Sequence, residues 1–212
     1  MTTLILDEYA EERILAERRA NGEDQFDEVW DGVYLMAPDP NLEHQRVVRR
    51  LTMILDVIAA VDLQGDVFAG CNVSDRGVGW VENYRRPDIA VFLPGTKAIF
   101  HGAHTEGGPD FAIEIVSDND RTWDKLDFYA SVQTRELLIV DRNPWQATLL
   151  RLEAGKLKEV GVSTKEGNQE LVSQVIPLSF RLIWRDGNPE IEIRHLHDGR
   201  IWHAPAAGPK LS

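Results

Sequence analysis

The sequence predicts a mixed α/β fold, in which β-strands and helices alternate and β-hairpins are added at the C-terminal end. Three observations support this class. A buried strand, a helix and a second buried strand follow one another in residues 107–142, and a long amphipathic helix covers residues 42–62. Short β-rich runs separated by turn residues fill residues 153–203. We therefore expect one domain over residues 1–212, a length that allows a sizeable core.

The first part of the chain predicts a helix and then a β-hairpin. Residues at helical spacing predict a helix over residues 3–21, and Gly22 is a typical stop. Asp31-Gly32 lies between two β-rich runs, and Asp-Gly is a strong signal for a two-residue hairpin turn. We expect Glu28 on the first strand of this hairpin.

The helix over residues 42–62 has one continuous apolar stripe, so we expect it to pack its stripe against the core. The stripe consists of Val47, Val48, Leu51, Ile54, Leu55 and Ile58. Strands are expected at residues 66–74, 88–93, 110–117, 136–142 and 145–152, and a helix at residues 122–132. The last residues, 204–212, are expected to be frayed.

Composition and charge narrow the range of functions. The chain is 43% hydrophobic and has no apolar run long enough for a membrane span, so we expect a soluble protein. The N-terminal segment lacks the apolar region of a signal peptide, and Cys71 is the single cysteine, which excludes an internal disulfide and suits the cytoplasm. The net charge of −12 argues against broad, sequence-independent binding of nucleic acid, because such binding normally uses a basic surface.

Two of the buried strands each carry one acidic residue. Asp88 is the first residue of one apolar strand, directly after Pro87, and Glu114 lies in the middle of another. A carboxylate in such a strand is costly unless it is paired or coordinated. Two carboxylates on neighbouring strands would form an oxygen-rich site for Mg²⁺ or Mn²⁺, to which the carbonyl of Ile115 could add another oxygen.

A lysine follows this pair of acids. Lys125 lies about one turn into the helix after Glu114, and Tyr129 shares its face at the i, i+4 position, although Tyr129 is expected to be a core residue. An acid, a second acid and a lysine around a divalent metal are typical of phosphodiester hydrolysis. The alternative is a structural ion pair, since such networks also occur in proteins without activity.

Several stretches together resemble the Uma-type family of restriction endonucleases, within the PD-(D/E)XK nuclease superfamily. They occur in the order of that family and cover roughly residues 26–152, and they are "DEVWDGVYLMAP", the "EH" of "NLEHQRVV", "RPDIAVFL", "GGPDFAIEIVS" and "DKLDFYASVQTRELLIVDR". The resemblance implies a restriction-endonuclease-like core, a mixed β-sheet flanked by helices, over residues 26–152. Residues 153–203 would then form a C-terminal β-rich extension.

The resemblance also implies roles for single residues. Asp88 matches the acid of the family's Pro-Asp pair, and Glu114 matches the acid of the next strand. The superfamily's lysine would lie two positions later, where this chain has Val116, but in the Uma-type family it lies on the following helix, where Lys125 matches it.

Two further matches are possible members of the site. Glu28, before the Asp-Gly turn, matches a family glutamate that could complete the site. His44 matches a histidine at the start of the second helix.

The resulting hypothesis is a Mg²⁺- or Mn²⁺-dependent endonuclease that acts on nucleic acid, with DNA favoured over RNA. Two alternatives stay open: an inactive protein of nuclease fold that binds a partner, which the charge of −12 favours, and a hydrolase of small phosphate esters. A homodimer is expected through exposed strand edges in the C-terminal region.

Overall fold

The computed structural model describes residues 8–117 and 121–206. It contains the three α-helices α1 (Glu8–Asn21), α2 (Leu42–Leu55) and α3 (Leu126–Ser131). A π-helix, Asp56–Asp62, continues α2, and 3-10 helices form at Trp80–Glu82 and Thr122–Lys125. None of the helices in the described ranges is long and apolar enough to cross a membrane.

The strands of the described residues form three sheets. In chain order they are β1 (Glu28–Trp30), β2 (Val33–Leu35), β3 (Asp66–Ala69), β4 (Val73–Ser74), β5 (Tyr84–Arg85), β6 (Ile89–Phe92), β7 (Ile99–Phe100), β8 (Thr105–Glu106), β9 (Phe111–Ile115), β10 (Glu136–Arg142), β11 (Trp145–Glu153), β12 (Lys156–Thr164), β13 (Leu171–Val172), β14 (Leu178–Arg185), β15 (Asn188–His195) and β16 (Ile201–Pro205). The central sheet has the order β12-β11-β10-β9-β6-β3, the N-terminal sheet β2-β1-β5-β4-β8-β7, and the C-terminal sheet β13-β14-β15-β16.

The central sheet is mixed and lies between two apolar layers. Strands β9 and β10 are parallel and are joined through α3, whereas β6 and β3 run antiparallel to their neighbours. One face packs on α2 and the C-terminal sheet, and the other face packs on α3. This arrangement confirms the predicted class, a mixed sheet flanked by helices with added C-terminal hairpins.

Helix α2 carries the predicted apolar stripe. Its buried residues are His44, Val47, Leu51, Ile54 and Leu55. The helix begins at Asn41, whose side chain accepts a hydrogen bond from the amide of His44 at 2.9 Å and thereby caps the first turn.

The predicted hairpin at Asp31-Gly32 is also present. Strands β1 and β2 pair antiparallel around it, with φ of 49° at Asp31 and 82° at Gly32. Positive φ at both central residues is the requirement of a type I′ turn, which Asp-Gly meets at low cost.

Two predictions need correction. The segment 66–74 is two strands instead of one, because Gly70 takes a φ of +72° and the chain passes there from the central sheet to the N-terminal sheet. The end of the chain is not frayed from residue 204 onwards, because Ala204 lies in β16 and Ala206 is buried. Residues 3–7 of the predicted first helix and residues 207–212 lie outside the described residues.

Candidate active site

The two predicted acids face each other across the central sheet. In the antiparallel pair β6–β9, Ile89 lies opposite Ile113. One residue further along the same register, Asp88 comes opposite Glu114. Directly opposed residues put their side chains on the same face, with Cβ atoms about 5 Å apart. The register therefore brings the two carboxylates together at the end of β6.

Glu114 is almost fully enclosed, with 3% of its surface exposed. Its Oε1 accepts a hydrogen bond of 3.0 Å from Nζ of Lys125 and one of 2.6 Å from the hydroxyl of Tyr129. Both donors come from the segment between β9 and β10, which covers this face of the sheet. In the described part of the chain, no hydrogen bond reaches Oε2 of Glu114.

Lys125 connects this carboxylate to a second one. Its Nζ also donates to Oε1 of Glu28 at 2.9 Å, and both side chains are buried. Glu28 is held further by the amide of Arg86, which donates to Oε1 at 2.7 Å, and by Nε1 of Trp30, which donates to Oε2 at 2.7 Å. Both oxygens of Glu28 therefore already have donors.

Asp88 forms the accessible side of the cluster, because 22% of its side chain is exposed. Its Oδ2 accepts a hydrogen bond of 2.7 Å from the amide of Ile115, and its Oδ1 lies 3.1 Å from Nε2 of His44. Nδ1 of His44 is buried and has no hydrogen-bond partner among the described residues. Because a buried N–H without an acceptor is costly, the neutral ring is expected to carry its hydrogen on Nε2, the nitrogen that faces Oδ1 of Asp88.

Lys125 pairs with two of the three carboxyl groups in the cluster, those of Glu28 and Glu114, whereas Asp88 faces His44. The buried guanidinium of Arg85 adds a further positive charge near Glu28. Burial raises the pKa of Glu114 to about 8, an effect that Lys125 opposes and that the neighbouring carboxylates increase. Burial and the Glu114 carboxylate together raise the pKa of Tyr129 well above its ordinary value, so its hydroxyl stays a donor.

This donor set fits a divalent cation with a preference for oxygen ligands. Asp88 and Glu114 offer carboxylate oxygens from adjacent strands, and a bound cation would favour the charged form of Glu114. Within residues 8–117 and 121–206, no three His, Cys, Asp or Glu side chains are arranged to hold one ion. The side chains would thus supply two carboxylates, a number typical of Mg²⁺ sites, where water completes the shell.

A hydrogen-bond network beside the cluster fixes the position of Glu28. The carboxylate of Asp27 accepts hydrogen bonds from Nε of Arg18 at 2.9 Å, from the hydroxyl of Tyr34 at 2.7 Å and from the amide of Ala37 at 2.7 Å. The network joins α1 to both ends of the hairpin. It therefore fixes β1, and with it Glu28, relative to α1.

A second set of contacts fixes the start of α2. The guanidinium of Arg142 donates from Nη1 to Asn41 at 3.0 Å and to Glu43 at 3.1 Å, and from Nε to the carbonyl of Val116 at 2.8 Å. These bonds tie the ends of β9 and β10 to the first turn of α2. His44 is thereby held beside Asp88.

All the residues suggested by the sequence meet in this cluster, namely Glu28, His44, Asp88, Glu114, Ile115 and Lys125. For Ile115 the observed contact is made by its amide, so the role of its carbonyl stays a prediction. Tyr129 is the residue that sequence reasoning assigned to the core alone. Its spacing from Lys125 was the available signal, since both side chains lie on one helical face and reach the same oxygen.

Comparison with known proteins identifies the family of this chain. The model of the family described as "Uma2: Putative restriction endonuclease" matches residues 9–185. The chain belongs to the Uma2 family. The match confirms the resemblance found over residues 26–152 and extends beyond it on both sides. Membership of this family supports a nuclease function.

One solved structure similar to this chain is described as "a putative nuclease belonging to DUF820 from Anabaena variabilis ATCC 29413". It is 16% identical, the similarity covers 63% of this chain and 75% of that chain, and the TM-score is 0.48. No curated protein matches the chain.

Proposed function

We propose that this protein is an endonuclease that hydrolyses phosphodiester bonds of nucleic acid and depends on Mg²⁺ or Mn²⁺. The observation that carries the proposal is the pairing of Asp88 with Glu114 at the end of two buried strands, with Lys125 donating to Glu114. Two carboxylates at the same end of adjacent strands, with a lysine beside them, match the chemistry of metal-assisted phosphodiester cleavage.

Asp88, Glu114 and the carbonyl of Ile115 would hold the ion. When bound, the ion polarises the phosphoryl oxygen and lowers the pKa of water. The substrate phosphate would approach from the side of Asp88, because that carboxylate is the exposed one of the pair. Lys125 would keep its positive charge beside the phosphate and so stabilise the charge that develops during attack.

The reaction adds one water molecule across the phosphodiester. The water oxygen forms a new bond to phosphorus while the bond from phosphorus to the 3′-oxygen breaks. The leaving 3′-oxygen takes up a proton, and the products are a 5′-phosphate and a 3′-hydroxyl. No redox step and no other co-reactant are needed.

Glu28 and His44 would serve the site indirectly. Both oxygens of Glu28 already have donors, so we assign it to holding Lys125 in place. His44 lies in the capped first turn of α2, with Nε2 at 3.1 Å from Oδ1 of Asp88, and would orient that carboxylate. Mutation of residues that contact metal ligands in this way typically lowers metal affinity or activity by about 10- to 100-fold.

We also propose DNA in preference to RNA and a homodimer. The family description as restriction endonucleases supports DNA. The terminal strands of the C-terminal sheet, β13 and β16, leave edges that a second copy could use. Light scattering on the purified protein tests the dimer, and parallel cleavage of DNA and RNA tests the substrate.

The proposal is tested by cleavage of plasmid DNA, single-stranded DNA and RNA with Mg²⁺ or Mn²⁺. The wild type should cleave in the presence of metal, and Asp88→Ala and Glu114→Ala should each reduce cleavage to background. Asp66→Asn is the control, because Asp66 is exposed on strand β3 and lies outside the cluster. Full metal-dependent cleavage by Glu114→Ala would contradict the proposal.

A partner-binding protein without activity is the second candidate, because the net charge of −12 opposes the approach of nucleic acid. It predicts no cleavage of any substrate, and a neutral or stabilising effect of Asp88→Asn. A hydrolase of small phosphate esters would be recognised if nucleotides competed for the site and short oligonucleotides did not.

A further inference from the structure

The hydroxyl of Tyr129 reaches the same oxygen that Lys125 contacts. It donates to Oε1 of Glu114 at 2.6 Å, and Nζ of Lys125 donates to that atom at 3.0 Å. Tyr129 is fully buried, and its ring packs with Phe128 in the layer below the central sheet. The two donors are four residues apart, so one helical face supplies both.

Two donors on one oxygen constrain the carboxylate in a specific way. The last torsion of a glutamate is broad and nearly two-fold, so a single contact leaves the choice between its two oxygens open. Here both hydrogen bonds go to Oε1 of Glu114, and within the described residues none goes to Oε2. The carboxylate is therefore held with Oε2 as the oxygen still available to a ligand.

Burial of the Tyr129 ring in the core does not by itself require a hydrogen bond from its hydroxyl to Glu114. A buried tyrosine hydroxyl needs a partner, but a main-chain carbonyl meets that need as well. Tyr84 illustrates this solution, since its hydroxyl donates to the carbonyl of Asp27 at 3.1 Å. The hydroxyl of Tyr129 instead donates to Glu114, whose other oxygen accepts no hydrogen bond from the described residues.

We propose that Tyr129 is a positioning residue, whose hydroxyl acts with Lys125 to fix Oε1 of Glu114 and present Oε2 to the divalent cation. This inference rests on the proposed function. Tyr129 itself does not touch the substrate or the cation.

The test compares Tyr129→Phe with a control variant, Ser179→Ala. The buried hydroxyl of Ser179 also donates to a carboxylate, Oε1 of Glu170 at 2.6 Å, but it lies in the C-terminal sheet, outside the cluster and the contacts that support it. Calorimetric titration with Mn²⁺, with and without a non-cleavable oligonucleotide, should show affinity about 10- to 100-fold weaker in Tyr129→Phe and unchanged in Ser179→Ala. Both variants lose one hydrogen bond to a carboxylate, so loss of stability alone would not separate them.

A second measurement does not depend on the folding of Tyr129→Phe. The chain has four tyrosines, so 3-fluorotyrosine labelling gives four ¹⁹F signals. Phenylalanine at positions 9, 34 and 84 in turn assigns three of them, and the fourth belongs to Tyr129. Addition of Mg²⁺ to the wild type should shift the Tyr129 signal and leave that of Tyr34 in place.

The outcomes separate this inference from the proposed function. The positioning role is wrong if Tyr129→Phe binds Mn²⁺ as tightly as the wild type does, or if bound Mg²⁺ leaves the Tyr129 signal unmoved. Either result leaves the proposed nuclease function unaffected. If the wild type binds no metal, even with the oligonucleotide, the proposed function itself fails.

Discussion

Replacing Glu114 by glutamine should remove a large pH dependence from the stability of the metal-free protein. The substitution keeps the size of the side chain and removes its charge. In the wild type, burial raises the pKa of Glu114 to about 8 from an ordinary value of 4.5. The folded protein therefore binds a proton at this site more tightly than the unfolded chain does.

The direction in which stability changes with pH follows from this difference in proton binding. An acid whose pKa is raised by folding supports stability fully below its unfolded pKa, and this contribution is lost as the pH rises through the folded pKa. For Glu114 the window runs from 4.5 to about 8. At about 1.4 kcal/mol for each pH unit, the wild type should lose on the order of 5 kcal/mol across this window relative to the Glu114→Gln variant.

The assay is urea unfolding of both proteins between about pH 5 and pH 9, with a chelator present. The quantity compared is the difference in the free energy of unfolding between the two proteins, because contributions from titrating groups outside the cluster cancel in it. Glu136→Gln is the control. Glu136 is also buried, but its carboxylate is bonded to Arg151 and Ser173, so this variant should lose stability throughout the range. Parallel pH profiles of the wild type and Glu114→Gln would refute the charge argument.

Three further variants test other parts of the site, and a fourth, Lys158→Met, is the control for Lys125→Met. Lys125→Met should lower the free energy of unfolding in urea by about 3–5 kcal/mol, because it leaves buried carboxylates without their cation. Lys158→Met, which removes a pair with both side chains over half exposed, should lose less than about 1 kcal/mol. His44→Ala should bind Mn²⁺ about 10- to 100-fold more weakly, because the orientation of Asp88 is lost. Asn41→Ala should cost about 1 kcal/mol in urea unfolding, because α2 loses its cap.

For each of these variants, a different result would contradict the expectation. Equal losses in the two lysine variants would show that the Lys125 contacts contribute no more than a surface pair. Unchanged Mn²⁺ affinity in His44→Ala, with an unchanged circular dichroism spectrum, would exclude a role in orienting Asp88. An Asn41→Ala protein as stable as the wild type would show that Arg142 and solvent replace the cap.

The parts of the fold that could be predicted are those fixed by local chemistry. The apolar stripe of α2 has a helical period, and Asp31-Gly32 suits a turn that needs two positive φ angles. The change of sheet at Gly70 could not be predicted, because the alternation of a strand does not identify its partner. The short strands β5, β7 and β8 are too brief to give a periodic signal.

The candidate site likewise contains some features that the sequence predicts and others that only the structure gives. Asp88 and Glu114 were recognised because a carboxylate in an apolar strand is costly, and that argument needs no structure. Their direct opposition depends on the β6–β9 register, which only the structure gives. The hydroxyl of Tyr129 was missed because burial of its ring already explained the residue. His44 was suggested by family resemblance, because a polar residue near a helix start gives no signal of its own.

The most direct test of the metal site is crystallography with Mn²⁺, recorded at a wavelength where manganese scatters anomalously. A non-cleavable oligonucleotide should be present, since nucleic acid can complete such a site. We expect an anomalous peak about 2–2.5 Å from an oxygen of Asp88 and from Oε2 of Glu114, absent in the Asp88→Ala/Glu114→Ala protein. No peak at this position, with the oligonucleotide visibly bound, would contradict a metal site at these residues.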